Sequence, residues 1–233
     1  MSTAGQAAPK AEPRRPLSRD RVLRGAIQLA DERGIESVTM RTLAQQLGVE
    51  AMSLYNHVAN KGEILDGMVD TVMDEINDAT SGIGGDWKTA MRRRILAARE
   101  ILLRHPWAPA ALVSRTGDSL PLMRYYESLI GLFRDGGFSY DLIHHALHAL
   151  GSRALGFTQE PFDDSQPVPD PSALARQLAA EYPNTAALLE GVTHDADTTL
   201  GWCDDQFEFE FALDLLLDGL DRRREAESSA NAG

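Results

Sequence analysis

The stretch from Thr39 to Lys61, TMRTLAQQLGVEAMSLYNHVANK, constrains the fold of this chain more than any other. Its pattern predicts two short helices joined by a tight turn, with a third helix starting immediately after. Thr39 is placed to cap the first helix, whose apolar side carries Leu43, Ala44 and Leu47. Gly48 supplies the turn, where a residue without Cβ takes a positive φ at little cost. Ala44 is small where the two helices must cross closely. The second helix, from about Ala51 to Val58, turns Leu54 and Val58 inward. That leaves Ala51, Met52, Ser53, Tyr55, Asn56 and His57 largely outward. A short helix that presents Ser, Tyr, Asn and His, and carries no acid, suits a DNA major groove.

Charge divides the chain in the same way. The whole chain holds 23 Lys+Arg and 35 Asp+Glu, a formal net charge of −12. Residues 1–61 are net +3 and residues 62–233 are net −15. The basic part coincides with the helix-turn-helix pattern, as phosphate contact requires. The acidic remainder would face away from DNA, although an acidic surface kept for solubility would read the same way. The single cysteine, Cys203, excludes an intramolecular disulfide framework and fits a reducing compartment. No apolar run approaches the roughly 18 residues of a membrane-spanning helix. The opening MSTAGQAAPKAEPRRPLS has no apolar signal core. Together these predict a cytoplasmic protein with no membrane partner.

Periodicity along the rest of the chain is helical, and the expected class is all-α. Residues 1–16 read as a disordered arm in which Arg14 and Arg15 could reach a minor groove. Ser18 caps a helix with Val22, Ala26, Leu29 and Ala30 on one face, and Gly34 is expected to end it in the αL conformation. Asn60 and Glu63 have the spacing of a capping box. They open a helix carrying Leu65, Met68, Val69, Val72, Met73 and Ile76. The Gly-rich break at 81–85 is the expected domain boundary. Further helices are expected over Trp87–Leu103, in HPWAPAALV, over Leu120–Phe133, and from Ser139 to about Phe157. An acidic, Pro-rich loop follows at 160–171, then shorter helices near 172–182 and 184–191. The last helix is expected from about Asp204 to Arg223, ending on three arginines that suit its dipole, with a disordered tail at 225–233. It is apolar on two sides, with Phe207, Phe211 and Leu215 on one stripe and Phe209, Leu213, Leu216 and Leu220 on the other. A surface helix buries only one stripe. The second calls for another partner, and a palindromic DNA site needs two heads.

The tract L-Y-x-H-V-x-N-K (Leu54, Tyr55, His57, Val58, Asn60, Lys61), joined to Gly34, Thr39, Ala44 and Gly48, resembles the helix-turn-helix of the TetR family of bacterial transcriptional regulators. The resemblance implies a DNA-binding head over 17–80 and a regulatory and dimerisation domain over 86–224. It implies that Arg41 reaches a base or phosphate, and that Tyr55, His57 and Lys61 bind mainly phosphates with Thr39 and Ser53 assisting. Ala51, Met52 and Asn56 would then set sequence preference. The body, through GGFSYDLIHHALHALG and the closing DGLDRRR, resembles the family's effector-binding domain. By that resemblance His144, Leu147, His148 and Gly151 line an effector pocket with Tyr126 and Leu129, and Arg94, Ala98 and Glu160 complete it. Where tetracycline-binding members carry metal- and drug-contacting histidines, this chain has Leu112 and Asn77, so another organic effector is implied. The last helix and the helix at 139–157 would form the homodimer interface.

The implied function is a DNA-binding regulator. It would be a repressor that holds a palindromic double-stranded operator as a homodimer and is released by a small-molecule effector. A ligand-independent, architectural DNA-binding dimer is the alternative, separated by whether the body holds a cavity. No Gly-rich phosphate loop, nucleophile elbow or dense metal-ligand set is visible, so no enzyme, no catalytic residue and no cofactor are expected. His144 and His148, at i,i+4, could hold a metal, but most such pairs are packed or hydrogen-bonded. The aromatic and Met side chains Trp107, Met123, Tyr125, Tyr126, Phe133 and Phe157 are core or pocket walls. Trp202 and Cys203 read as structural.

Overall fold

The computed structural model of the chain describes residues 16–115, 119–156, 176, 179–191 and 205–231. Among these residues all regular structure is helical. The arm with Arg14 and Arg15, the loop at 160–171 with Glu160, and Phe157, Trp202 and Cys203 lie outside the described residues.

Helix α1 (Arg19–Arg33) starts where Ser18 Oγ accepts the Arg21 N–H. Its apolar residues recur at helical spacing, and Val22, Leu23, Ala26, Leu29 and Ala30 are all buried. Gly34 ends it with φ 80° but ψ 158°, so the expected αL cap is not formed. The chain enters a 3-10 turn (Ile35–Ser37) at once, which needs an extended ψ at Gly34. In α2 (Met40–Leu47), Thr39 and Thr42 cap each other reciprocally: each hydroxyl accepts the other's backbone N–H, at 3.0 and 3.1 Å. Gly48 takes φ 66° and ψ 40°, the predicted left-handed turn. Gly25 is what allows α1 and α2 to approach, since a Cβ there would sit 2.9 Å from Leu47 Cδ2.

Helix α3 spans only Ala51–Leu54, shorter than the expected run to Val58. Tyr55 to His57 continue as hydrogen-bonded turns, with the N–H groups of both His57 and Val58 donating to the Leu54 carbonyl. Leu54 and Val58 are nevertheless buried, as the pattern required. Helix α4 (Lys61–Thr80) opens on Asn60, whose Oδ1 accepts the Glu63 N–H. Glu63 reaches back one residue further than a capping box does, accepting from the Ala59 N–H over 2.7 Å. Ile64 rather than Leu65 leads its buried stripe.

The remaining helices are α5 (Trp87–Arg104), α6 (Ala108–Ser114), α7 (Leu120–Asp135), α8 (Tyr140–Gly156), α9 (Pro183–Gly191) and α10 (Asp205–Asn231). The chain forms two compact units. One joins the residues up to Glu75 with Ile101–Leu122, and the other joins Ile76–Glu100 with Met123 onward.

In the second unit Met91, Ile95, Leu129, Phe133, Phe138, Ala146, Phe209 and Leu213 form one continuous core. Trp87 sits edge-on to Phe138, with ring centroids 4.6 Å apart. Three basic residues of α5 have partners within this unit. Arg92 pairs with Asp214 and Glu210 of α10, each at 2.6 Å, Lys88 pairs with Asp218, and Arg94 donates to the Ile83 carbonyl. Helix α10 does not stop near Arg223, and residues 225–231 are helical rather than a loose tail. Its last turns have partners: Arg224 donates to the Gly136 carbonyl, and Glu227 accepts from Ser139 Oγ.

Candidate nucleic-acid interface

The α2–turn–α3 segment presents its predicted contact residues on a firmly packed base. Leu43, Ala44, Leu54 and Val58 are at most 3% exposed. Above them Met52 is 74% and Tyr55 48% exposed. Thr39, Arg41, Asn56 and Lys61 are exposed, while Ala51, Ser53 and His57 are half-buried. The nine residues are thus all accessible, on one continuous segment whose turns are pinned by backbone hydrogen bonds. Arg21 reinforces it from α1, donating to the Leu47 carbonyl where α2 ends. Lys61 is the first residue of α4, where its charge adds to the positive end of the helix dipole.

The effector candidates of the body are distributed differently. Ala98 and Leu129 are buried, Arg94 and Leu147 are half-buried, and Tyr126, His144 and His148 are exposed. Gly151 is half-buried, and Glu160 lies outside the described residues. His144 and His148 are brought together, their ring centroids 4.6 Å apart. Leu129 also belongs to the core around Phe133. On α10 Phe209, Leu213, Leu217 and Leu220 are buried, with Leu217 in the row where Leu216 was expected and Leu216 half-buried, while Phe207, Phe211 and Leu215 are 62, 54 and 56% exposed.

Two family models match the chain. "Bacterial regulatory proteins, tetR family" covers residues 22–68, and "Tetracyclin repressor-like, C-terminal domain" covers residues 83–224. The chain is 32% identical over 231 residues to the HTH-type transcriptional repressor DrrR1 of Streptomyces coeruleorubidus, covering 91% of this chain and 80% of that protein. The chain belongs to the TetR family. A crystal structure of a possible TetR family transcriptional regulator from Streptomyces coelicolor A3(2) matches with TM-score 0.68 and 32% identity, over 87% of this chain and 98% of the other. The S. coelicolor TetR family protein ActR, in complex with (S)-DNPA, matches with TM-score 0.65 and 25% identity, over 90% of this chain and all of that one. What the chain shares with these relatives is the family's regulatory-protein head and its tetracyclin repressor-like body.

Within this TetR-family chain two polar clusters were not legible from periodicity. His105 Nδ1 and the Trp107 indole N–H share Asp31 Oδ1, at 2.9 and 2.7 Å, while Glu75 lies 3.4 Å from His105 Nε2 and also pairs with Arg104. Asp70 accepts from Arg115 and Ser119 at 2.8 and 2.7 Å. Both clusters tie residues 101–122 to α1 and α4 within one compact unit. The local sequence ILLRHPWAPAALV is largely apolar and names no partner for His105 or Trp107. Among the described residues no helix is long and apolar enough to cross a membrane.

Proposed function

We propose that two copies of this chain clasp a palindromic operator in the cytoplasm, each laying α3 in a major groove, and that a small organic effector in the body releases them. The observation that carries the DNA half is the exposed row Met52, Tyr55 and Asn56 above buried Leu54 and Val58. Ala51, Met52 and Asn56 read bases, and Arg41 reaches a base or phosphate. Tyr55, His57 and Lys61 hold phosphates, with Thr39 and Ser53 assisting.

Dimerisation is supported by Phe207, Phe211 and Leu215, three large apolar side chains open on one stripe of α10. Burying such a side chain contributes about 1.5–3 kcal/mol, which favours a second copy over solvent. The effector reading is supported by ActR, a family member whose crystal structure is of a complex with (S)-DNPA. The proposed lining is Ala98, Tyr126, Leu129, His144, Leu147, His148 and Gly151, with Arg94 or Glu160 as charged contact. A flat or amphipathic molecule suits that mixture.

The test is selection of bound duplexes from a random pool. We expect a palindrome with two half-sites, bound by two chains, with affinity falling steeply as salt rises. An asymmetric site bound by one chain would overturn the reading. A complex that persists against a broad panel of organic compounds would favour the ligand-independent alternative.

A further inference from the structure

Two neighbouring side chains of the second unit lack the partners that their burial calls for. Arg94 of α5 is half-buried, and its Nε and Nη2 both donate to the Ile83 carbonyl, at 3.2 and 3.1 Å. Among the described residues no carboxylate pairs with it. The basic residues that α5 turns toward α10 differ in this respect: Arg92 lies on Asp214 and Glu210, and Lys88 on Asp218. A guanidinium carries five N–H donors and does not shed its charge. Arg94 therefore keeps an uncompensated positive charge and unused donors in a half-buried place.

Tyr125 of α7 packs on the core that holds Met91, Ile95, Leu129 and Phe133. Burial pushes its phenol up to about 12, while the charge of nearby Arg94 acts in the opposite direction. The phenol is thus protonated at neutral pH and able to donate. Its side chain still keeps part of its surface open, and among the described residues its hydroxyl has no hydrogen-bond partner. A group hemmed in by protein and yet partly open faces a cleft instead of bulk water. A hydroxyl in such a place is destabilising until an acceptor reaches it.

We infer that Arg94 and Tyr125 together hold the anionic head of the effector, whose class is an organic acid ionised at neutral pH. The inference rests on the effector reading proposed above and narrows it. A carboxylate meets both needs at once. It neutralises Arg94, whose planar fork matches its two oxygens, and it gives the Tyr125 hydroxyl an acceptor. A neutral carbonyl would satisfy Tyr125 alone, and an amine would be repelled by Arg94. The apolar part of the acid would lie against the proposed walls, Ala98, Leu129 and Leu147.

The test uses the full-length chain and two matched series, naphthalene-2-carboxylate and biphenyl-4-carboxylate, each beside its carboxamide and its aminomethyl analogue. Calorimetry at neutral pH reads their affinities. Each acid should bind about tenfold or more tightly than its carboxamide, since a charge-assisted bond exceeds a neutral one, and the amines should not bind. Arg94→Gln should bring each acid down to the level of its carboxamide and leave the carboxamide unchanged. Tyr125→Phe should weaken acid and carboxamide alike, by about threefold to tenfold, because a phenol donates to either oxygen. Arg94→Lys, which keeps the charge but not the fork, should retain part of the preference. Circular dichroism checks that the variants are folded. Should Arg94→Gln fail to fold, the parent's ratio of acid to carboxamide and its partial retention in Arg94→Lys decide. Acid and carboxamide bound alike, or an acid preference that survives Arg94→Gln, overturns the inference and leaves the effector reading standing. An amine bound best overturns it and assigns the charged contact to Glu160. Binding by none of the compounds at millimolar concentration also overturns it, and the effector reading falls with it only if the broad panel of organic compounds fails as well.

Discussion

The indole N–H of Trp107 donates to Asp31 Oδ1 over 2.7 Å, tying the residue that precedes α6 to α1. The same oxygen lies 2.9 Å from His105 Nδ1, and both rings are nearly buried. Replacing Asp31 by Ala would strand two buried donors or acceptors at once. An unmet buried polar group costs about 1–3 kcal/mol. We expect Asp31→Ala to lower the urea midpoint by an amount in that range, and Asp31→Asn, which keeps an acceptor, to recover most of it. An Asp31→Ala protein as stable as the parent would mean the cluster is held by solvent instead.

Gly136 lies under Trp87, and a Cβ added there would meet the indole Cγ at 2.7 Å. The ring is not free to retreat, because Phe133 and Phe138 pack against it. Gly136→Ala should cost about 1–3 kcal/mol as an overpacked site. Trp87→Leu in the same protein should relieve part of that loss, so the two changes are less damaging together than their sum. A thermal-unfolding double-mutant cycle measures the coupling.

Most of the head was readable because its determinants are local. Thr39, Gly48 and Asn60 act on residues three or four away, and the stripe of Leu43, Ala44, Leu54 and Val58 follows from helical periodicity alone. The errors there are local as well. Gly34 takes an extended ψ because a 3-10 turn starts at once, and α3 stops at Leu54, where the chain continues as hydrogen-bonded turns. What was not readable is long-range and polar: Asp31 meets Trp107 across 76 positions and Arg92 meets Asp214 across 122. No periodicity encodes such pairs. Helix α10 outran its expected end for the same reason, since Glu227 is held by Ser139, 88 positions away. The candidate DNA contacts lie on the readable head. The effector candidates came only from resemblance, and the structure spreads them between core and surface.

Stability should decline at both ends of the pH scale. Hydrogen bonding from Lys88 holds the Asp218 carboxyl below its ordinary value of 3.8, and hydrogen bonds from Gln206 and Arg92 do the same for Glu210, whose ordinary value is 4.5. A depressed folded pKa means the unfolded chain takes up protons first as pH falls. That stabilisation is complete above the ordinary values and disappears as pH drops through the lowered ones. At the alkaline end, burial pushes the Tyr125 phenol from 10.0 up to about 12. The unfolded phenol ionises first there, so stability falls as pH rises from 10 toward 12. Lys88, raised above 10.5 mainly by its bond to Asp218, adds a loss in the same direction. Melting temperature against pH should show Asp218→Asn flattening the acid limb and Tyr125→Phe flattening the alkaline limb. Unchanged limbs would mean these groups titrate alike in both states.

Phe211 is 54% exposed and its ring lies along that of Phe207, with centroids 6.5 Å apart. A carboxylate at its centre would have to be buried unpaired in any interface built on the stripe, at a cost of several kcal/mol. Phe211→Glu should therefore give monomers by sedimentation while keeping the helical content and melting of the single chain. A variant that stays dimeric would place the interface elsewhere.

Lys61 and Met52 separate the two ways of contacting DNA. Lys61 is exposed at the start of α4, where its ammonium and the positive end of the helix dipole would meet the proposed phosphate together. A phosphate contact of this kind is blind to sequence. Lys61→Ala should weaken binding to every duplex by a similar factor and reduce the salt slope by about one. Met52, 74% exposed on α3, carries no charge and offers only an apolar surface to base edges. Met52→Ala should leave the salt slope intact and change which duplexes a random pool returns, with discrimination altered by about 1–3 kcal/mol at the contacted position. Binding isotherms at several salt concentrations, on the selected duplex and on a scrambled one, distinguish the two. If Lys61→Ala changed the preferred sequence and spared the overall affinity, the two residues would have to exchange roles, with α4 entering the groove and α3 lying along the backbone.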